Sequence, residues 1–334
     1  MRIQYDDMIN EFKRILIKKG FNDEDAYMAS KSFTENSLNG VYSHGVNRFP
    51  RVIEYIEKGY IRVNEKAEMI DKYGSFERWD GNRGMGNINA KIAMDRSVEL
   101  SKEFGIGLVA LRNTNHWMRG GTYGWQAADA GCIGICWTNT MPNMPAWGAK
   151  DIKIGNNPFI MSIPRSDGRH VVVDMAMSQF SYGKIDEYKR NGKELPVPGG
   201  YNSEGDLSTD PAEIEQSSRV LPIGFWKGSG LSIALDLIAA VLSGGNSTYD
   251  IGKQAVEEYG ISQVFIAIDP SKFNIPEITD EIINNTLKDI KGSILEDSAT
   301  LILYPGERVI ITRKENLEKG IPVDESIWNK IISL

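Results

Sequence analysis

Histidine is scarce in this 334-residue chain, which holds only His44, His116 and His170. A protein that needs a proton donor at neutral pH therefore has few places to keep one. Cysteine is scarcer still, with Cys132 and Cys136 alone. A strand would hold those two on one face about 13 Å apart, too far for a disulfide. Buried free thiols in a reducing compartment are expected instead. Excess basic charge is also missing: 38 Lys and Arg against 45 Asp and Glu leave a net charge of -7, and the pI is near 5.3. That balance argues against nucleic acid or an anionic membrane as partner, because both are held through excess Lys and Arg. No basic segment leads into an apolar signal core, and no apolar run approaches eighteen residues. The expectation is a cytoplasmic protein without a membrane partner.

Several motifs are absent too. Glycine is abundant at 33 residues, yet the dinucleotide fingerprint is not there. Gly84-Met85-Gly86-Asn87-Ile88-Asn89 and Gly228-Ser229-Gly230-Leu231-Ser232-Ile233 each lack its third glycine. No phosphate-binding loop of the Walker type, no His-Glu-x-x-His and no paired Cys-x-x-Cys occurs, so no metal ligand is assigned.

What is present is an ordinary globular balance, 41% hydrophobic and 25% charged residues, in a chain long enough for two domains or one large α/β unit. Helical spacing of Met8, Ile9, Phe12, Ile15 and Leu16 predicts a helix over 6–19, stopped by Gly20. Asn22 can cap a second helix, with Asp25 at its third position, running towards Gly40. A third is expected over 51–58, with Pro50 in its first turn or kinking it. From Ala67 short strands alternate with helices: strands at 76–79, 107–111, 133–138, 159–163 and 171–174, helices at 88–104 and 124–130. Residues 187–218 are polar and broken by Pro196, Pro198, Gly199 and Gly200, which suggests a long excursion or lid. An apolar helix over 228–242, a strand over 263–268 and a helix with polar turn over 316–334 complete the expected order.

Two stretches carry reactive side chains. In Gly40-Val41-Tyr42-Ser43-His44-Gly45-Val46-Asn47-Arg48-Phe49 an imidazole and a guanidinium stand four apart, on one face if the segment is helical. Ser43 could cap its start, and Gly45 would let backbone or substrate come close. Asn113 to Trp125 contains His116 and Arg119 among glycines and follows a strand, where α/β proteins tend to place ligands. A capped turn with a surface histidine and a glycine-rich turn with aromatic packing are the plain alternatives. Asp174 ends a strand before small residues that could open a helix, and Trp226-Lys227 precede another helix start, both sites suited to phosphate or ribose.

Together, Gly40 to Pro50, Gly107 to Arg112, Asn115 to Gly120, Trp147 to Lys150, Gly155 to Pro158, and Asp236 after Trp226 to Gly230 resemble the type 2 malate and lactate dehydrogenase family. The resemblance covers essentially the whole chain. It reads closest to the branch that reduces 2,3-diketo-L-gulonate, through Val41-Tyr42, Asn115 to Gly121 and Gly224 to Lys227. It implies a non-Rossmann α/β fold, with a mostly antiparallel sheet flanked by helices on both faces and by helical N- and C-terminal segments. The implied units are residues 1–66, 67–303 and 304–334. The implied chemistry is hydride transfer between NADH, with NADPH possible, and a small 2-oxo acid, in a homodimer. By resemblance His44 is the proton donor, His116 a second acid-base candidate, Arg48 the holder of the substrate carboxylate, and Ser43 an orienting group. Asp174 would touch cofactor or steer an imidazole. The remaining cofactor contacts fall on His170, Val171, Val172, Val173, Met175, Ala176, Trp226, Lys227, Gly306, Glu307 and Arg308. A sibling enzyme for malate, lactate, ureidoglycolate or a cyclic imino acid, and a cofactor-binding protein without turnover, are the competing readings.

Overall fold

The structure, a computed structural model, describes residues 1–254, 257–273, 276–296 and 301–334. The chain enters through β1 (Arg2–Ile3), α1 (Tyr5–Lys18), α2 (Asp23–Leu38) and α3 (Phe49–Glu57). α1 buries the predicted stripe Met8, Ile9, Phe12, Ile15 and Leu16. The Asn22 side chain accepts the Asp25 amide at 2.9 Å and starts α2. Phe12 stacks on Phe49 with ring centroids 4.1 Å apart, and Phe33 meets both rings edge-on. Each such fully buried ring contributes about 1.5–3 kcal/mol. This aromatic knot fixes where the segment between α2 and α3 must run.

The centre of the chain comprises β2 (Glu68–Tyr73), β3 (Phe76–Asp80), α4 (Gly86–Phe104), β4 (Ile106–Thr114), α5 (Gly121–Asp129), β5 (Ile133–Thr138), β6 (Met144–Pro145), β7 (Ile152–Ile154), β8 (Phe159–Ile163) and β9 (Val171–Met175). Then come α6 (Tyr182–Arg190), β10 (Gly200–Tyr201), β11 (Leu207–Ser208), α7 (Pro211–Ser217), α8 (Trp226–Ser243), α9 (Thr248–Gln254) and β12 (Ile261–Ile268). α10 (Pro276–Lys291), α11 (Glu307–Lys319), β13 (Ile321–Pro322) and α12 (Glu325–Ile332) end it. Seven strands form one sheet in the order β2-β3-β4-β12-β5-β8-β9. Every pairing is antiparallel except β3 with β4. Alternation along β12 sends Phe265 to the face covered by α4 and α5, and Val264 to the opposite face covered by α8. The fold is the mostly antiparallel sheet with helices on both faces that the resemblance implied.

The ends of the chain meet. β1 pairs with β13, and Ile321, Val323, Trp328 and Ile331 join the core of α1 to α3. Both cysteines are buried free thiols.

Several expectations need correction. Residues 187–218 are not one long loop: the end of α6, the β10–β11 hairpin and α7 fill them, and Leu195 and Ile214, with Ile185 and Val220 on either side, join the core between the sheet and α8. The last helical segment begins at Glu307, well before 316, and β2 was not anticipated. No helix follows Asp174, since α6 starts only at Tyr182, so Asp174 is not a helix cap. Among the described residues one helix, α8, is long and apolar enough by length and composition to cross a membrane, its 18 residues averaging a hydropathy of 1.2 although Lys227 and Asp236 interrupt the apolar run. Its polar side faces the protein. Ser232 donates to the Gly155 carbonyl at 2.5 Å, and the Asp236 carboxylate accepts from Asn139 and the Thr248 amide, each at 2.8 Å.

Candidate active site

The Ser43–Arg48 stretch is not a continuous helix. A 3₁₀ turn over Tyr42–His44 leads through turns to Arg48, the residue before α3. Asn36 donates to the His44 carbonyl at 3.0 Å, and the Ser37 hydroxyl accepts the Val46 amide at 2.8 Å. Gly45 is needed for close packing, since a Cβ there would fall on the Ser37 hydroxyl and the Phe33 carbonyl. Ser43 caps nothing; its Oγ lies 3.0 Å from His44 Nδ1 and fixes that ring. The first turn of α6 closes over this corner, with a Cβ built on Gly183 lying 3.5 Å from Ser43 Cβ.

His116 arrives from the turn between β4 and α5. Asn115 ties that turn down by donating to the Tyr60, Arg83 and Gly84 carbonyls. Met118 adopts φ 68, a conformation a side-chain-bearing residue rarely holds without compensating contacts. The strain lets its amide donate to His116 Nδ1 at 3.1 Å, which leaves the ring proton on Nε2. The His44 and His116 rings lie nearly parallel with centroids 5.7 Å apart. Neither Nε2 has a partner among the described residues.

Charges of both signs surround this pair. Asp174, at the end of edge strand β9, accepts from Arg119 Nε at 3.3 Å and from the Gly121 amide at 3.1 Å. Burial pushes the His44 pKa down to about 4; Asp174 pulls it up, and Arg48 and Arg119 push it further down. Burial, then Arg48, His44 and Arg51, drive His116 well below the usual histidine range. Both rings are therefore neutral at pH 7 in the unliganded protein.

The two arginines of α3's start differ sharply. Arg51 is committed, donating to Tyr55 at 2.8 Å and to Glu257 at 3.0 Å, while Tyr55 donates to the same carboxylate at 2.5 Å. The Arg48 guanidinium makes no hydrogen bond or ion pair to a described residue, so its planar fork is free for a ligand carboxylate. Sequence reasoning did not single out Glu258, a buried carboxyl that accepts the Met141 amide at 2.9 Å and faces Arg48 and Arg51. Burial raises its pKa, and it carries no lone-residue signal in a polar stretch. Arg119 was noticed but given no role. It is 4% exposed, its Nη1 is buried without a partner, and such an orphan donor costs about 1–3 kcal/mol. The cluster thus has two cations with unspent donors in a chain of net charge -7, an arrangement matched to a small anion.

The remaining expected residues fall in two places. His170 sits at the far end of β9 from Asp174, with Nδ1 accepting the Arg165 amide at 2.9 Å and Nε2 3.0 Å from Asp129. Val171 to Met175 form β9 itself, along whose outer edge the Val172 amide donates to the Pro305 carbonyl. Ala176 follows, and Met177 accepts the Ile223 amide just ahead of α8. Trp226 and Lys227 open α8, and Gly306, Glu307 and Arg308 open α11; neither helix start has a side-chain cap. Phe225 before α8 is held at φ 61, a strained non-glycine conformation of the kind that clusters at ligand sites. Two uncapped helix N-termini with Lys227 and Arg308, set along an edge strand, offer the amides and positive charge that a diphosphate requires. Glu307 is turned away from this role, pairing with Lys291 and accepting the Tyr304 amide.

Residues 3–332 match the family model described as malate/L-lactate dehydrogenase. The chain is 45% identical over 334 residues to a 2,3-diketo-L-gulonate reductase of Citrobacter koseri, and 44% identical to one of Haemophilus influenzae. Each alignment spans all of both chains. Among solved structures, the malate dehydrogenase of Entamoeba histolytica superposes with TM-score 0.94 at 26% identity, covering 100% of this chain and 96% of that one. The sulfolactate dehydrogenase of Methanocaldococcus jannaschii gives TM-score 0.91 at 28% identity, over 99% and 95%.

Proposed function

The chain belongs to the malate/L-lactate dehydrogenase family, an oxidoreductase for keto acids with a nicotinamide nucleotide, and from that premise we propose that it reduces 2,3-diketo-L-gulonate to 3-dehydro-L-gulonate. NADH is the proposed reductant. The observation that carries this reading is the stacked pair of His44 and His116 rings, with the Arg48 fork unbonded to any described residue and the Asp174 carboxylate attracting a proton to His44. The relatives at 44–45% identity, named for that substrate, support the choice of acid.

When bound, the cofactor supplies a hydride to C2 of the acid. Arg48 holds the carboxylate with two charge-assisted hydrogen bonds, each contributing about 1.5–3 kcal/mol. That places the 2-oxo group at the imidazoles, where His44 Nε2 gives a proton to the oxygen as negative charge builds on it. Ser43 holds the His44 ring through Nδ1. Asp174 stabilises the imidazolium that must form before transfer, by the same attraction that already raises His44's proton affinity. His116, fixed in the Nε2–H tautomer, is a neutral donor to the same oxygen. Read in reverse, neutral His44 is a base ready to accept the proton of a 2-hydroxy acid. His170 to Ala176 on and beside β9, Trp226 and Lys227 at the start of α8, and Gly306 to Arg308 at the start of α11, Glu307 through its backbone, would hold the cofactor.

A homodimer completes the proposal. Trp226, Ile233, Leu237, Ile238 and Val241 expose an apolar stripe along α8, with Val241 74% exposed, and a second copy would cover it. The helical segments 1–66 and 304–334 are read as one cap on the sheet domain.

Oxidation of NADH is the direct test, followed at 340 nm with 2,3-diketo-L-gulonate, pyruvate, oxaloacetate and a cyclic imino acid in parallel. The diketo acid is expected to have the highest kcat/KM. Faster turnover of another acid moves the chain to a sibling activity, and NADH binding without oxidation of any makes it a cofactor-binding protein.

A further inference from the structure

The Arg119 guanidinium is spent only in part. Its Nε reaches Asp174 at 3.3 Å, whereas Nη1 is buried with no partner and Nη2 makes no hydrogen bond to a described residue. The residue is 4% exposed, so water does not compensate Nη1. The neighbouring cations are placed differently: Arg51 donates from Nη2 to Tyr55 and Glu257 and is 48% exposed, so water serves its other nitrogens, and Arg48 is attracted by the buried Glu258. In Arg119, Nη1 is sealed from solvent, whereas Nη2 is not and makes no bond to a described residue, so Nη2 is the donor left for an acceptor that arrives with the ligand.

Arg48, Arg119 and Asp174 all act on the His44 imidazole. Arg119 stands three residues after His116, whose ring centroid lies 5.7 Å from that of His44, and Arg119 Nε reaches Asp174 at the end of β9. An acid anchored by its C1 carboxylate on Arg48, with its C2 oxygen at His44, extends C3 towards Arg119.

Resting on the diketo-acid reading above, we propose that Arg119 is the specificity-determining residue that reads the second carbonyl, donating from Nη2 to O3 of a 2,3-dioxo acid. Asp174 is the positioning partner that aims it, because the Nε contact sets the plane of the guanidinium. A 2-oxo acid with a methylene at C3 leaves that donor unpaired, and a site built to hydrogen-bond an oxygen discriminates against an analogue lacking it.

The test compares 2,3-diketo-L-gulonate with a 3-deoxy-2-oxo-hexonate, which keeps the carboxylate, the 2-oxo group and the terminal hydroxyls. For wild type, Arg119→Met and Arg119→Lys, kcat/KM is measured with NADH, or the inhibition constant where turnover is too slow. Arg119→Met is expected to lower the preference for the diketo acid by about 10- to 100-fold, the worth of a charge-assisted hydrogen bond, with Arg119→Lys between it and wild type. The KM for NADH is expected to move less than about threefold. Equal losses on both acids would overturn the proposal and leave Arg119 as a support for Asp174. A selective rise in the KM for NADH would overturn it in favour of the cofactor amide as acceptor. If Arg119→Met does not fold, the Arg119→Lys ratio decides alone. Wild type that fails to reduce the diketo acid defeats the functional reading itself, an outcome distinct from unchanged discrimination in the variants.

Discussion

The two ends of β9 carry chemically similar pairs, an imidazole near a carboxylate, and use them in opposite ways. At the entry, His170 has both nitrogens engaged, by the Arg165 amide and by Asp129, and it sits 3% exposed against Trp125. At the exit, Asp174 belongs to Arg119 and the Gly121 amide, and His44 feels it only through space. A histidine whose two nitrogens are both engaged is a structural strut. One with a free Nε2 between a carboxylate and two guanidiniums can change its charge when a ligand changes the balance around it. The difference lies in what is left unbonded, and it decides which histidine performs chemistry.

The largest expected effect separates the two imidazoles of the site from that strut. His44→Gln is expected to cut diketo-acid reduction by about 10²- to 10⁴-fold, the usual contribution of a general acid, with NADH affinity near wild type. His116→Gln should cost less, because His116 donates as a neutral group. If His116→Gln gives the larger loss in single-turnover NADH oxidation, the two roles are exchanged.

Arg48→Lys comes next. The charge stays while the fork is lost, so KM for the keto acid should rise about 10- to 100-fold and KM for NADH hardly at all. Equal rises in the two constants would assign Arg48 to the fold, as Arg51 already is through Tyr55 and Glu257.

Much of this architecture is legible in the sequence because it is set by local signals. The stripe of α1, the Asn22 cap, and the β5 and β8 runs, whose observed limits match 133–138 and 159–163, need only periodicity and capping chemistry. Residues 187–218 were unreadable for the opposite reason. Their strands are two residues long, and Leu195 and Ile214 reach the core under α8 from separate short pieces. The site divides in the same way. His44 and Arg48 stand four apart in the chain, so their pairing can be read directly. The role of Ser43 cannot, since a cap and a side-chain contact to the next residue look alike in sequence. Glu258 and the idle nitrogens of Arg119 become visible only when distant segments are brought together, because burial and a missing partner are tertiary facts.

A smaller effect is expected at the strut. His170→Gln removes the contact with Asp129 and alters the one with the Arg165 amide, each hydrogen bond contributing about 0.5–1.5 kcal/mol. Thermal unfolding should move down by a few degrees and KM for NADH up by about two- to fivefold, while kcat stays within about threefold. A fall in kcat of the size seen for His44→Gln would erase the distinction between the two ends of β9.

The smallest signal is a fraction of a proton, and it tests how a histidine with a pKa of about 4 can act as an acid. In the unliganded protein at pH 7 about one His44 in a thousand is protonated. Burial is the main cause, followed by the opposing pull of Asp174 and the push of Arg48 and Arg119. A bound carboxylate neutralises Arg48 and so removes one of the two positive neighbours, which raises the pKa of His44 in the complex. Protons must therefore be taken up as the complex forms. Uptake is expected between about pH 4, below which the free protein is already charged, and the raised value in the complex, above which neither form is. Titrating the NADH-loaded protein with oxamate, an unreactive analogue of a 2-oxo acid, measures this by calorimetry in buffers of different ionisation enthalpy. Wild type and His170→Gln should take up the same fraction of a proton at pH 6, and His44→Gln none. Uptake that survives in His44→Gln would place the titrating group elsewhere. Absence of uptake in wild type at every pH from about 5 to 7 would mean that His44 stays neutral in the complex, leaving His116 as the donor.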